Sequence, residues 1–261
     1  MNFLSVGLDK SPLLEHLPRR FLLIDDGVNL PRGKVFDHTI HSFDPLRKID
    51  HKKARELSDI FYAADPGGSG TLTVRNGKRA LTKMLLQGKY LDQLTGDKKD
   101  PAVLEALGMI DNVLLSPVLQ NVLLRRTNFY FTVARNGDYI PSTIIACISR
   151  AELGDYDAFL LGNLLIAQYP GTVVVPDFGF YAHKGHSTLI RQNRLMAGIN
   201  FFDEVPELRN QLLTIPDKIG SHCTPADAEL LVQYDGLSPT SRGYRERIEA
   251  LISPTIPESD I

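Results

Sequence analysis

Tryptophan is absent from the 261 residues, and cysteine occurs twice, at Cys147 and Cys223. Two thiols cannot build a disulfide framework, nor supply by themselves the ligands of a tetrahedral zinc site. Both lie in or beside apolar runs, so a reducing compartment, the cytoplasm, is the expected location. No window approaches about 18 apolar residues without a charge, which leaves no candidate membrane span. The start, Met1 to Gly7, has neither a basic n-region nor a long apolar h-region, so no signal peptide is expected. An excess of one charge is also missing. The formal net charge is −2, and nothing global announces nucleic acid. That balance still leaves room for phosphate contact by a few local loops. There is no G-x-S-x-G, no H-E-x-x-H and no Cys–His pairing, so hydrolases of those types have no support. His183 and His186 have i,i+3 spacing but no third ligand nearby. They read as a solvated or DNA-facing pair rather than a zinc site.

What is present is ordinary globular chemistry, with 43% hydrophobic and 23% charged residues, enough for one α/β domain or a domain with an insert. Short apolar runs at Phe3–Gly7 and Phe21–Asp25 read as buried strands, with a short helix from Ser11 to Leu17 between them and Pro12 at its first position. Further strands are expected near 33–36 and 38–43. Residues 52–127 read as a helical insertion, with apolar stripes over 52–63 and 75–94 and a break at Ser116-Pro117. Asn136-Gly137 signals a hairpin. Strands then alternate with helices: strand 143–148, helix 151–168, strand 172–175, helix 188–197, strand 199–202, helix 206–213, strand 218–223 and helix 225–234. Thr224 or Ser221 is placed to cap the last helix. This alternation argues for α/β architecture with a mostly parallel sheet covered on both faces. The expected organisation is a core of 1–51 and 128–237, the insertion 52–127, and a tail 238–261 that carries a helix before a disordered acidic end.

Three places carry candidate chemistry. The stretch Gly7-Leu8-Asp9-Lys10-Ser11 has strand, glycine, Lys-Ser and helix in the order of a phosphate loop. It lacks the second glycine and several loop residues, and Asp9 would repel a phosphate, so taken alone it is a weak motif that reads first as a plain strand-to-helix turn. Gly67 to Gly70 and Asn76-Gly77-Lys78-Arg79 do not make the motif. The first is expected to be a loop and the second a helix start. Asp177 closes the apolar run Thr172–Val175, where an α/β nucleotide-binding protein holds a Mg²⁺–phosphate complex. Its other reading is a turn or N-cap acid before Gly179. Asp25 and Asp26, with Gly27, read as turn formers. The segment from Ala182 to Arg194 is rich in cations, either a solvated helix face or a phosphate contact.

In this order the residues resemble the FtsK/HerA-type translocating ATPases, and within them the TraD/TraG-like coupling proteins. The likeness is carried by Phe21–Gly27, by Ser42-Phe43-Asp44-Pro45-Leu46, by Val173–Phe178 as a Walker B strand, and by Arg194–Asp203 with the strand and helix that close the core. The resemblance implies a RecA-like P-loop fold, with Gly7, Lys10 and Ser11 at the phosphates, Ser11 and Asp177 at Mg²⁺, and Arg194 toward a neighbouring subunit's nucleotide. It implies ATP and Mg²⁺ as ligands, weakly bound or lost. The implied partners are DNA and either further copies of the chain or an active motor subunit. The departures point one way. The loop is shortened, Phe178 stands where a glutamate would act as base, and Asp203-Glu204 stands in place of a glutamine sensor. Loss of a positioned base costs about 10²–10⁴ in rate. The expectation is therefore a degenerate ATPase subunit in DNA translocation, transfer or packaging. A non-enzymatic scaffold that keeps the fold for oligomerisation or DNA contact is the alternative.

Overall fold

The computed structural model describes residues 2–25, 33–64, 71–135 and 137–252. In chain order these form β1 (Phe3–Val6), α1 (Ser11–Glu15), β2 (Phe21–Asp25) and β3 (Lys34–Phe36), then α2 (His51–Ala64), α3 (Thr71–Gln87), α4 (Pro101–Leu115) and α5 (Pro117–Leu123). The hairpin β4 (Thr132–Arg135) and β5 (Asp138–Pro141) follows, then β6 (Ile144–Cys147), α6 (Arg150–Leu153) and α7 (Asp155–Gln168). The remainder is β7 (Thr172–Val175), α8 (Phe178–Tyr181), α9 (Ser187–Arg191), β8 (Leu195–Ile199), α10 (Arg209–Leu213), β9 (Lys218–Gly220), α11 (Pro225–Tyr234) and α12 (Tyr244–Ile252). The fold is α/β with parallel strands, as expected for a RecA-like P-loop type.

The chain divides into two compact units, Met1–Arg19 with Thr172–Ile261, and Arg20–Gly171. In the first, four parallel strands lie in the order β7-β8-β1-β9, with Phe3 opposite Met196, Leu4 opposite Lys218 and Val173 opposite Leu195. Every residue of β1 and β8 is buried. Strands that are apolar on both sides need cover on both faces, which is why they read as continuous runs rather than alternations. In the second unit β6 pairs in parallel with β3 on one side and β2 on the other, while β4 and β5 make a separate antiparallel ribbon. Helices α2 to α5 occupy His51 to Leu123 of this unit. Asp100 accepts from Ala102 N and Ser116 from Leu119 N, each followed by a proline at the first helical turn. Among the described residues no single helix is long and apolar enough to cross a membrane.

Several boundaries differ from the sequence expectation, each for a local reason. The strand expected at 199–202 is β8 at Leu195–Ile199, and the preceding helix stops at Arg191. A short apolar run does not tell strand from helix by periodicity. The helix is ended by Asn193 in the left-handed region (φ 54°), with Arg194 N donating to Leu189 O. No strand forms over 38–43, because Asp37 folds the chain into a turn, accepting from Thr39 N through its side chain and from His41 N through its carbonyl. The helix expected over 151–168 breaks at Gly154 (φ 78°) into α6 and α7. Asn76–Arg79 is not a helix start but lies inside α3. There a Cβ on Gly77 would fall 2.1 Å from the Tyr62 hydroxyl, so the glycine admits a close approach. Asp26, Gly27, Gly67–Gly70, Asn136 and the acidic end lie outside the described residues. The tail helix is α12.

Gly7 is the position where β1 leaves the sheet, at φ 105°, and a Cβ there would fall 1.8 Å from the Ser221 carbonyl oxygen. The left-handed strain and that backbone clash together predict that Gly7→Ala costs about 3 kcal/mol, read as a lowered midpoint in urea unfolding.

Candidate functional site

Because β1, β8 and β7 are parallel, their carboxyl ends at Val6, Ile199 and Val175 open on one edge, with β8 in the middle. The chain leaving β1 is held there by its neighbours. Gly7 N donates to Ile199 O (2.9 Å), and Val6 O accepts from Ser221 N (2.9 Å) and Cys223 Sγ (3.4 Å). Beyond Gly7 the loop closes on itself. Asp9 Oδ1 accepts from Ser11 N (2.9 Å), Ser5 Oγ donates to Asp9 O (3.2 Å), and Lys10 Nζ donates back to Gly7 O (2.5 Å).

Lys10 is half-buried. Its stem crosses β8 at Gly198, where a Cβ would lie 2.9 Å from Lys10 Cδ and 2.3 Å from Pro176 O. Glycine in this strand is therefore a clearance for the lysine on one neighbour and for the end of β7 on the other. Burial lowers the Lys10 pKa to about 8, and the negative charges of Glu204, then Asp177, work against that fall. Glu204 is oriented by the residue that follows β8, Asn200, whose N and Nδ2 donate to its two oxygens at 3.1 and 3.0 Å. A Cβ on Gly179 would lie 2.3 Å from Glu204 Oε2, so the start of α8 is cut back to admit this carboxylate. A further acid, the buried Asp227, fixes the turn after β8. It accepts from Phe202 N (3.1 Å) and from Thr224 Oγ1 (2.6 Å), while Thr224 caps α11.

The sequence-predicted residues are distributed as follows. Gly7, Lys10 and Asp177 come to the same edge, near enough that the Asp177 charge acts on the Lys10 ammonium. Asp177 is exposed at the N-cap position of α8, but its side chain makes no cap bond. Ser11 begins α1 with its side chain exposed. Arg194 lies at the amino end of β8, with Nη1 donating to Gln192 Oε1 (3.0 Å) and its carbonyl accepting from Val173 N. At about 3.3 Å per residue a strand of this length puts it roughly 15 Å from the Lys10 edge. Phe178 is fully buried, its ring centroid 5.3 Å from that of His186. His186 is itself buried, its ring tilted against that of His183 at 4.1 Å between centroids, and burial, then the charge of His183, pushes its imidazole pKa well down. The expectation of a solvated histidine pair is thus corrected for His186, a core residue under Phe178. Sequence reasoning passed over Glu204 as the acid whose charge acts most on Lys10. The signal was Asn200 four residues before it, a pattern too common to weigh without the fold.

This edge is an ion cluster already satisfied from within. Only two residues separate Gly7 from Lys10, the Ser11 N–H is occupied by Asp9, and the lysine sits on its own loop's carbonyl. These residues do not fit a triphosphate cradle, which needs free backbone N–H groups and a cation directed outward. Among the described residues no group of three or more His, Cys, Asp or Glu could hold a metal ion.

No family model matches the sequence, and no curated protein matches it. Among solved structures the chain is similar to VirB4 of Thermoanaerobacter pseudethanolicus, with a TM-score of 0.48 and 12% identity over 91% of this chain and 81% of that one. A likeness of that size establishes no family; the fold rests on the strands themselves.

Two outcomes follow from this geometry. Phe178→Glu places a carboxylate at a fully buried position, so it destabilises the fold by about 3 kcal/mol or more rather than supplying a base. Urea unfolding together with an ATP turnover assay checks both halves. The folded Lys10 pKa of about 8 lies below its unfolded value near 10.5. Between those values the unfolded chain binds more protons, so the Lys10 contribution makes stability rise as pH increases from about 8 to about 10.5. Unfolding midpoints at several pH values in wild type and Lys10→Met isolate that slope, which the variant loses.

Proposed function

We propose that the chain is a degenerate FtsK/HerA-like ATPase-fold subunit of an assembly for DNA translocation, transfer or packaging, with hydrolysis lost. The observation that carries the loss is the closed loop: Lys10 Nζ on Gly7 O, and Asp9 on the Ser11 N–H. A triphosphate would have to displace both. It would also approach a surface where the charges of Glu204, Asp177 and Asp9 already act on one lysine. Like charges at that range oppose binding. The position of the base is filled by Phe178, whose ring is committed to packing on His186. Under this reading Lys10 and Asp177 keep the strand ends together rather than serving catalysis. Motor action comes from an active partner subunit, or the chain works as one of several copies that position DNA in the cytoplasm. The Arg194 role toward a neighbour's nucleotide belongs to the same proposal. Its place at the amino end of β8 keeps it clear of this chain's own Lys10 edge.

The scaffold reading differs in what remains of nucleotide binding. Asp9→Gly frees the Ser11 N–H and removes one negative charge. If the loop descends from a phosphate site, isothermal titration should show Mg-ATP binding strengthened about tenfold over wild type. Adding Lys10→Ala should then abolish the gain. No gain in Asp9→Gly favours the scaffold. Wild-type ATP turnover that disappears in Lys10→Ala would overturn the proposal altogether.

A further inference from the structure

The second unit carries a surface that the Lys10 edge does not explain. Tyr139 on β5 leaves 74% of its area in solvent and Tyr130, just ahead of β4, leaves 48%. Most large aromatics of the unit behave otherwise: Phe36, Phe43, Phe61, Phe129 and Tyr169 are almost fully buried. Each exposed ring is matched with a cation. The Arg47 guanidinium lies 5.1 Å from the Tyr130 centroid, and the Lys48 ammonium lies 5.5 Å from that of Tyr139. The two cations are consecutive residues, and the β4–β5 register sets Tyr139 opposite Ala134, four residues after Tyr130, so both rings belong to one short strip. Lys48 takes φ 55°, a conformation uncommon for a lysine. The acids beside this turn each accept from a backbone N–H, Asp44 from Leu46 and Asp50 from Lys53. Exposed Arg125 and Arg126 lead into Tyr130.

We infer that this strip binds single-stranded DNA, its bases stacking on Tyr130 and Tyr139 and its phosphates meeting Arg47 and Lys48. Aromatic faces interleaved with cations suit unpaired strands, because every base has a π-face while a duplex hides it. A protein partner with acidic segments would use the cations and leave the rings idle. The duplex would engage the cations alone. The inference deepens the DNA part of the proposed function, and rests on it for choosing DNA over other polyanions.

The test is fluorescence anisotropy of the whole chain with a labelled dT20 oligonucleotide at low salt. Tyr139→Ala and Tyr130→Ala should each weaken binding about tenfold, and Tyr90→Ala, at an exposed tyrosine outside the strip, should leave it unchanged. Arg47→Ala should reduce the slope of log K against log salt by about 0.7, the loss of one single-strand phosphate contact. If wild type binds dT20 but both tyrosine variants bind within twofold of it, the strip is wrong while the DNA reading stands. If wild type binds neither dT20 nor duplex, both fall. Competition by polyglutamate or duplex as strong as by unlabelled dT20 also overturns the stacking claim and assigns the strip to acidic partners or to duplex backbone.

Discussion

The arrangement of the first unit depends on one partly buried ammonium. Lys10 leaves the loop after β1, crosses β8 over Gly198 and finishes on the Gly7 carbonyl with Glu204 and Asp177 nearby. A lysine drawn out of water loses hydration, which lowers its pKa to about 8. The carbonyl and the two carboxylates limit it. Neighbouring choices follow from this need. Gly198 has to lack a side chain, Gly179 has to leave space for Glu204, and Asn200 has to hold that carboxylate with two bonds.

The same constraint sets the edge apart from a phosphate cradle. A phosphate loop keeps its positive end and its N–H groups for an incoming anion. Here the anions are built in: Asp9 on the Ser11 N–H, and Glu204 and Asp177 around the lysine. Internal carboxylates are held at no cost in association, so a dissolved ligand must outcompete groups that cannot diffuse away. Behind them Phe178 completes an apolar layer with His186 instead of projecting a carboxylate toward water.

Much of the architecture was legible because its strands are short, apolar and punctuated. Thr172–Val175 is read correctly to the residue, since a β-branched run bounded by glycine and proline leaves little choice. Helix α11 announces itself through Thr224 and Pro225. The strand at Leu195–Ile199 was displaced because Leu-Met-Ala-Gly-Ile fits a helix period equally well. Its identity is settled by pairing with β1 and β7, a long-range fact. Of the candidate site, Gly7, Lys10 and Asp177 were visible as residue types in a suggestive order. Glu204 was visible only as half of an acidic pair, and Asp227 as an acid in the first turn of a helix.

By itself the sequence determined the alternation of buried strands and helices, the short turn after β1 and the absence of a carboxylate after Asp177. Those are properties of neighbours along the chain. Tertiary structure alone decided which acids Lys10 meets, that its stem needs Gly198, and that Arg194 belongs to the opposite end of β8. Parallel pairing sets Val6 beside Ile199, far away in sequence, with β7 on the other side of β8. Charge, burial and hydrogen bonding act through space, so the chemistry of this edge exists only once that pairing is made.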